Sequence, residues 1–176
     1  MIETHPFDDF VPPNAKYLLL GSFIGKEAIR GTPNYDETYD WFYGTKRNQF
    51  WSILEEVYMV KFNNKLDKQE LFTKLGIAIT DIIYQCERKA GNNLDTNLVN
   101  IVYNTDPIAE ILDSNQIDKI FFSSRFVETK FKKVFKDIIN HHPSIELITL
   151  PSPSPRYARM SKEQKIIRYK ELLPEL

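Results

Sequence analysis

Two segments far apart in the chain combine residue types that suit a ligand with ring edges, hydroxyls and phosphates. Gly21-Ser22-Phe23-Ile24-Gly25 closes an apolar run, and Tyr43-Gly44-Thr45-Lys46-Arg47-Asn48-Gln49-Phe50-Trp51 follows it. Leu150-Pro151-Ser152-Pro153-Ser154-Pro155-Arg156 comes near the far end. Both combine tight-turn residues with hydroxyls and cations, so they read as halves of one nucleic-acid site. Glycines allow the backbone to approach a ligand closely. The pattern speaks against a nucleoside-triphosphate loop, because Gly25-Lys26 is followed by Glu27 rather than a hydroxyl, and against a dinucleotide loop, because no third glycine stands at its spacing.

Each candidate side chain has a functional and a plain reading. Asn48 can face a pocket and orient a water or read a base edge, or it can simply cap a helix. Phe42 and Tyr43 precede that helix, where a ring can stack on a base; Phe50 and Trp51 read as core. Asp81, at the end of Gly76-Ile77-Ala78-Ile79-Thr80-Asp81, can accept from ring N–H groups or serve as a cap or ion-pair partner. Glu87-Arg88 and Asn92-Asn93-Leu94-Asp95 form a polar stretch that can line the same mouth. Ser152, Ser154, Arg156 and Arg159 make a rigid, hydroxyl-lined loop able to pinch a sugar-phosphate backbone. Metal chemistry has little support: His141-His142 lack partners at ligand spacing, and His5 lies in an N-terminal arm.

A net charge of −1 gives no global signal for nucleic acid, but the charge is uneven. Residues 151–170 carry six cations against Glu163, and residues 125–136 carry five against Glu128. Local patches matter more than totals for phosphate contact. The single cysteine, Cys86, excludes an internal disulfide framework and fits a reducing compartment. No signal peptide or membrane-spanning stretch is apparent, so a cytoplasmic protein without a membrane partner is expected. A monomer is expected as well.

These residues need elements to position them. Apolar runs at Lys16–Leu20, Ile77–Ile83, Lys119–Phe122 and Glu146–Leu150 lack strict alternation and predict strands buried on both faces. Helical spacing marks Asn48–Tyr58, a helix capped by Asp67 with Glu70, and one opened by Asp106-Pro107. It also marks a stripe from Phe126 to Ile138 and a final helix capped by Ser161 with Gln164. Alternating strands and helices predict an α/β fold: a three-layer α/β/α sandwich with a central four-stranded parallel sheet. With 176 residues, one domain over 1–176 is expected, with its core at about 15–173. Residues 25–41 form a long weakly patterned segment of the kind often functional.

In order and spacing, these motifs resemble the uracil-DNA glycosylase superfamily, closest to its deoxyinosine (hypoxanthine) DNA glycosylase branch, with mismatch-specific glycosylases as neighbours. The resemblance spans about residues 15–173. It implies an enzyme of base-excision repair that flips a deaminated base, hypoxanthine or uracil, from DNA and hydrolyses its N-glycosidic bond without metal or cofactor. By position, Asn48 matches the catalytic amide. Gly21, Ser22, Phe23, Gly25, Tyr43, Asp81 and Ser123 fall in the base pocket. Arg47, Ser152, Ser154, Arg156 and Arg159 fall on the DNA side. The chain departs from the pattern at Ile24, Thr45-Lys46 and Ser123-Ser124. A glycosylase-like protein that binds nucleic acid without cleaving it, an enzyme of free nucleosides, and a protein-interaction domain stay open beside the enzyme.

Overall fold

The computed structural model describes residues 1–176. Four strands, β2 (Tyr17–Gly21), β3 (Ile77–Asp81), β6 (Lys119–Phe122) and β7 (Glu146–Thr149), form one sheet in the order β3-β2-β6-β7. All neighbours in it are parallel. The continuous apolar runs arise because both faces are covered. Leu18, Leu20, Ala78, Ile120 and Phe122 point into one core with Ile108, Ile111 and Leu112 of α3 (Thr105–Ser114) and Val127 and Phe131 of α4 (Arg125–Val134). Leu19, Ile77, Ile79 and Phe121 point into the other, against α1 (Phe50–Tyr58), α2 (Lys65–Leu75) and α6 (Lys162–Leu172). The fold is the expected three-layer α/β/α sandwich.

A second sheet was not anticipated. β1 (Ile2–Thr4), β4 (Ile83–Arg88) and β5 (Leu98–Tyr103) pair antiparallel in the order β1-β4-β5. The run read as one strand, Ile77–Ile83, is therefore two: the chain turns at Ile82, buried under the first core, and changes sheets. The N-terminal arm is not a free leader. It adds an edge strand, and Phe10 then exchanges backbone hydrogen bonds with Ile79.

Several helix starts differ from expectation for local reasons. Asn64, not Asp67, caps α2: its side chain accepts from the Asp67 amide, while Asp67 takes the Asn63 amide. Asn104 precedes α3, so Pro107 is the third helical residue rather than the first; a proline in the first turn sacrifices no helical hydrogen bond. The stripe from Phe126 to Ile138 splits into α4 and the short α5 (Lys136–Asn140), with buried Phe135 between them. The Ser161–Gln164 capping box forms as expected. No helix is long and apolar enough to cross a membrane.

Candidate active site

Parallel strands bring their carboxyl ends to one edge of the sheet, where ligands bind in open α/β folds. Gly21 pairs with Asp81, Leu20 with Phe122, and Phe122 with Thr149. The loops after β2, β3, β6 and β7 therefore meet, although residues 22 and 152 are far apart in sequence. They enclose a cavity of about 220 Å³. That is smaller than the ~300–1,000 Å³ of drug-sized ligand sites.

Of the residues singled out from sequence, Asn48, Ser22, Phe23, Gly25, Tyr43, Asp81, Ser123, Arg47, Ser152, Ser154 and Arg156 all line this cavity. Gly21 lies just beneath it. A Cβ there would stand 2.3 Å from Asp81 Oδ1 and 2.7 Å from the Tyr43 hydroxyl, so only glycine leaves room for both. Arg159 is exposed and lies outside the lining. Phe42, a candidate for stacking, is 1% exposed and belongs to the core.

Asn48 combines its two readings. Its Oδ1 accepts the Phe50 backbone N–H at 2.9 Å and so steadies the start of α1. The same side chain lines the cavity. An amide oxygen has two lone pairs, which leaves one acceptor site, and the amide nitrogen keeps its donors. The segment around it is rigid: the Gln49 N–H donates to Pro153 O at 2.9 Å, and Trp51 Nε1 donates to Phe42 O at 2.7 Å.

Tyr43 stacks on Phe50 with ring centroids 4.3 Å apart, and its backbone sits in the left-handed region (φ 56°). Non-glycine residues adopt that region at a cost and often near functional sites. Its hydroxyl is buried with no hydrogen-bond partner. Burial, and then the Asp81 carboxylate, push that hydroxyl well above its ordinary pKa, and the Ser123 side chain partly offsets them. Tyr43 is therefore neutral and able to donate.

Two carboxylates face the cavity. Asp81 is 4% exposed and pairs with His5, Nε2 to Oδ2 at 2.9 Å. Its partner thus comes from the arm set aside in the sequence reading. Asp95 accepts from the Ser22 hydroxyl at 2.7 Å. Burial raises the Asp95 pKa, with the Ser22 bond and Arg88 pulling against it and Asp81 adding to it. Arg88 also lines the cavity. It forms a buried ion pair with Glu3 at 2.8 Å and donates to Ile24 O at 3.2 Å, tying the first loop to β4. The polar stretch 87–95 held the cue for Arg88 and Asp95. Nothing in the sequence marked Glu3 or His5, because their partners lie 85 and 76 residues away.

The proline loop is anchored through its backbone carbonyls. Tyr169 donates its hydroxyl to Pro151 O at 2.7 Å. Lys165 Nζ donates to Ser154 O and to Gln49 Oε1, each at 2.9 Å. Lys165 is 1% exposed, and burial lowers its pKa. It is therefore an internal strut, not one of the exposed cations it was counted among. Arg47 and Arg156 remain exposed at the cavity rim.

No family model and no curated protein sequence matches this chain. Among solved structures, it is similar to the solution NMR structure of a protein from Methanosarcina acetivorans named "putative Uracil DNA glycosylase". The TM-score is 0.72 at 19% identity, covering 98% of this chain and 96% of that one. At this identity the likeness establishes a common fold.

Proposed function

We propose that this protein is a DNA glycosylase that hydrolyses the N-glycosidic bond of a deaminated base, hypoxanthine or uracil, flipped out of DNA. The observation that carries the reading is one small cavity at the carboxyl ends of the strands. An acceptor (Asp81), an amide (Asn48) and a buried hydroxyl (Tyr43) meet inside it, and Arg47 and Arg156 stand on its rim. The uracil-DNA glycosylase-like fold supports it.

The chemistry suits the residues. Deamination converts an amino ring into a lactam, placing an N–H where adenine and cytosine present a lone pair. The Asp81 carboxylate accepts from that N–H and repels the lone pair, so it selects the deaminated form. Cleavage leaves a positive sugar and an anionic base. Backbone amides of Ser22–Gly25 stabilise the base oxygen, and one such preorganised donor is typically worth ~10²–10³ in rate. Asn48 holds the attacking water through its remaining lone pair. A neutral amide is a weaker aid than a carboxylate, so turnover is slow. Flipping costs a few kcal/mol, least for damaged pairs, and Arg47 and Arg156 offset it at the phosphates.

A second reading, a glycosylase-like protein that binds DNA without cleaving it, is favoured by one observation: Asn48 Oδ1 is already engaged with the Phe50 N–H. Labelled duplexes containing uracil, hypoxanthine, xanthine or a G·T mismatch, scored by alkali cleavage at the abasic site, separate the two. Excision of hypoxanthine or uracil, lost in Asn48→Ala with DNA affinity kept within about threefold, supports the enzyme. Salt-sensitive binding without cleavage of any duplex supports the second reading.

A further inference from the structure

Glu3 and His5 are two residues apart on an extended edge strand, so their side chains leave the same face. The ladder of β1 on β4 continues past Thr4, since the His5 N–H donates to Tyr84 O at 2.8 Å. That face looks into the cavity wall. Glu3 meets Arg88 at 2.8 Å, with both side chains at most 6% exposed. His5 meets Asp81 at 2.9 Å, with both at most 7% exposed. Two charged groups that line the cavity thus receive their counter-groups from one short strand. Phe23, in the first loop, lies between the same two residues, 5.7 Å from the His5 ring and 5.9 Å from the Arg88 guanidinium.

We infer that the N-terminal strand is a specificity-determining part of the site, in which His5 positions the Asp81 carboxylate as an acceptor and Glu3 positions Arg88 and, through it, the Ser22–Gly25 loop. This rests on the function proposed above for the cavity. The Asp81 carboxylate has two oxygens. Oδ2 is taken by His5, while Oδ1 lies over Gly21. Holding one oxygen leaves the other as the acceptor presented to a base edge. His5 is itself held. Nδ1 is within hydrogen-bond distance of both the Phe7 N–H and the Phe7 carbonyl, and its ring packs against Phe7 and Phe42. Without the arm, Asp81 would lose the group that holds Oδ2 and Arg88 would lose its carboxylate partner, which alters the pattern a base meets.

The test is His5→Phe, which keeps an aromatic ring among Phe7, Phe23 and Phe42 and removes the polar contacts to Asp81 and Phe7. Glu3→Gln tests the second pair. Single-turnover excision of hypoxanthine and uracil is expected to fall roughly 10- to 100-fold in His5→Phe, the scale of a misplaced reacting group. The rate constant is expected to fall more than the apparent affinity, with binding to undamaged duplex kept within about twofold. Excision within about twofold of wild type would overturn the inference. A readout free of catalysis separates this inference from the function it rests on. Amide hydrogen exchange across residues 79–83 and 21–25 is expected to quicken at least about tenfold in His5→Phe, with distant amides unchanged. If the wild type excises nothing and that local exchange quickens, the glycosylase reading fails and the positioning role stands. If local exchange matches wild type, the positioning role is overturned whatever the activity.

Discussion

Replacing Gly21 with alanine is a demanding test of the cavity, because one methyl group meets two side chains that line it. The added Cβ would lie 2.3 Å from Asp81 Oδ1 and 2.7 Å from the Tyr43 hydroxyl, where ordinary contact begins at 3.4 Å. Asp81 must therefore withdraw by about 1 Å. It cannot do so freely: Oδ2 is held by His5, and its strand is paired with both β2 and Phe10. Tyr43 is pinned by its stack on Phe50. Overpacking of this kind typically costs ~1–3 kcal/mol. In a chain of this size that is a Tm lower by roughly 2–12 °C. The functional loss should be larger in proportion, since a displacement near 1 Å at a reacting centre costs on the order of 10²-fold in rate. Thermal unfolding and single-turnover excision measure the two effects. Gly91→Ala is the control: its added Cβ finds nothing nearer than the Lys26 ammonium at 3.9 Å. It should fall within about 0.5 kcal/mol of wild type. A Gly21→Ala protein with unchanged Tm and unchanged excision would refute the close packing of Gly21, Asp81 and Tyr43 and the cavity built on it.

Three further outcomes follow from the same geometry. Arg156→Ala removes an exposed rim cation and is expected to weaken DNA binding and reduce the slope of log affinity against log salt by about one; an unchanged slope would discard this loop as a phosphate contact. Because burial raises the Asp95 pKa in the folded state, the folded protein keeps that proton to higher pH than the unfolded chain does. Its favourable linkage is full below the unfolded value near ~3.9 and is lost as pH rises through the folded value. Asp95→Asn, which still offers Ser22 an acceptor, should therefore raise Tm near about pH 7 and change it little near about pH 3, and an equal difference at both would refute the assignment. Lys165→Met leaves Ser154 O and Gln49 Oε1 without their buried donor, at a typical cost of ~1–3 kcal/mol. A chemical-denaturation midpoint equal to wild type would show that the proline loop does not depend on that strut.

Much of the architecture was legible because it depends on local pattern. The runs ending at Gly21 and Phe122 are apolar on both faces, as strands of a covered parallel sheet are, and helical spacing marks α1 and α6. The cavity-lining residues were legible for a related reason. Turn residues, hydroxyls and cations that directly follow strands fall at the ligand-binding edge of such a sheet wherever they stand in the chain. The four strands and the cluster of Ser22, Asn48, Asp81 and Ser152 were thus determined by residue type and period.

Only the tertiary structure decided who partners whom. His5 looked like part of a loose arm because nothing local distinguishes it; its meaning comes from Asp81, brought within 2.9 Å by strand addition across 76 residues. Glu3 and Arg88 are the same case. Lys165 sits in a run of exposed cations and differs from its neighbours only because the proline loop folds over it and offers two acceptors. Asn64 displaced Asp67 as a helix cap because both residue types satisfy the same sequence rule, and backbone geometry chose between them. Period and composition determine which faces are buried, because burial is a property each segment expresses by itself. Long-range polar pairing is not such a property. An isolated histidine, glutamate or lysine has the same chemistry on the surface as in the core, until the fold removes its water and supplies one particular partner.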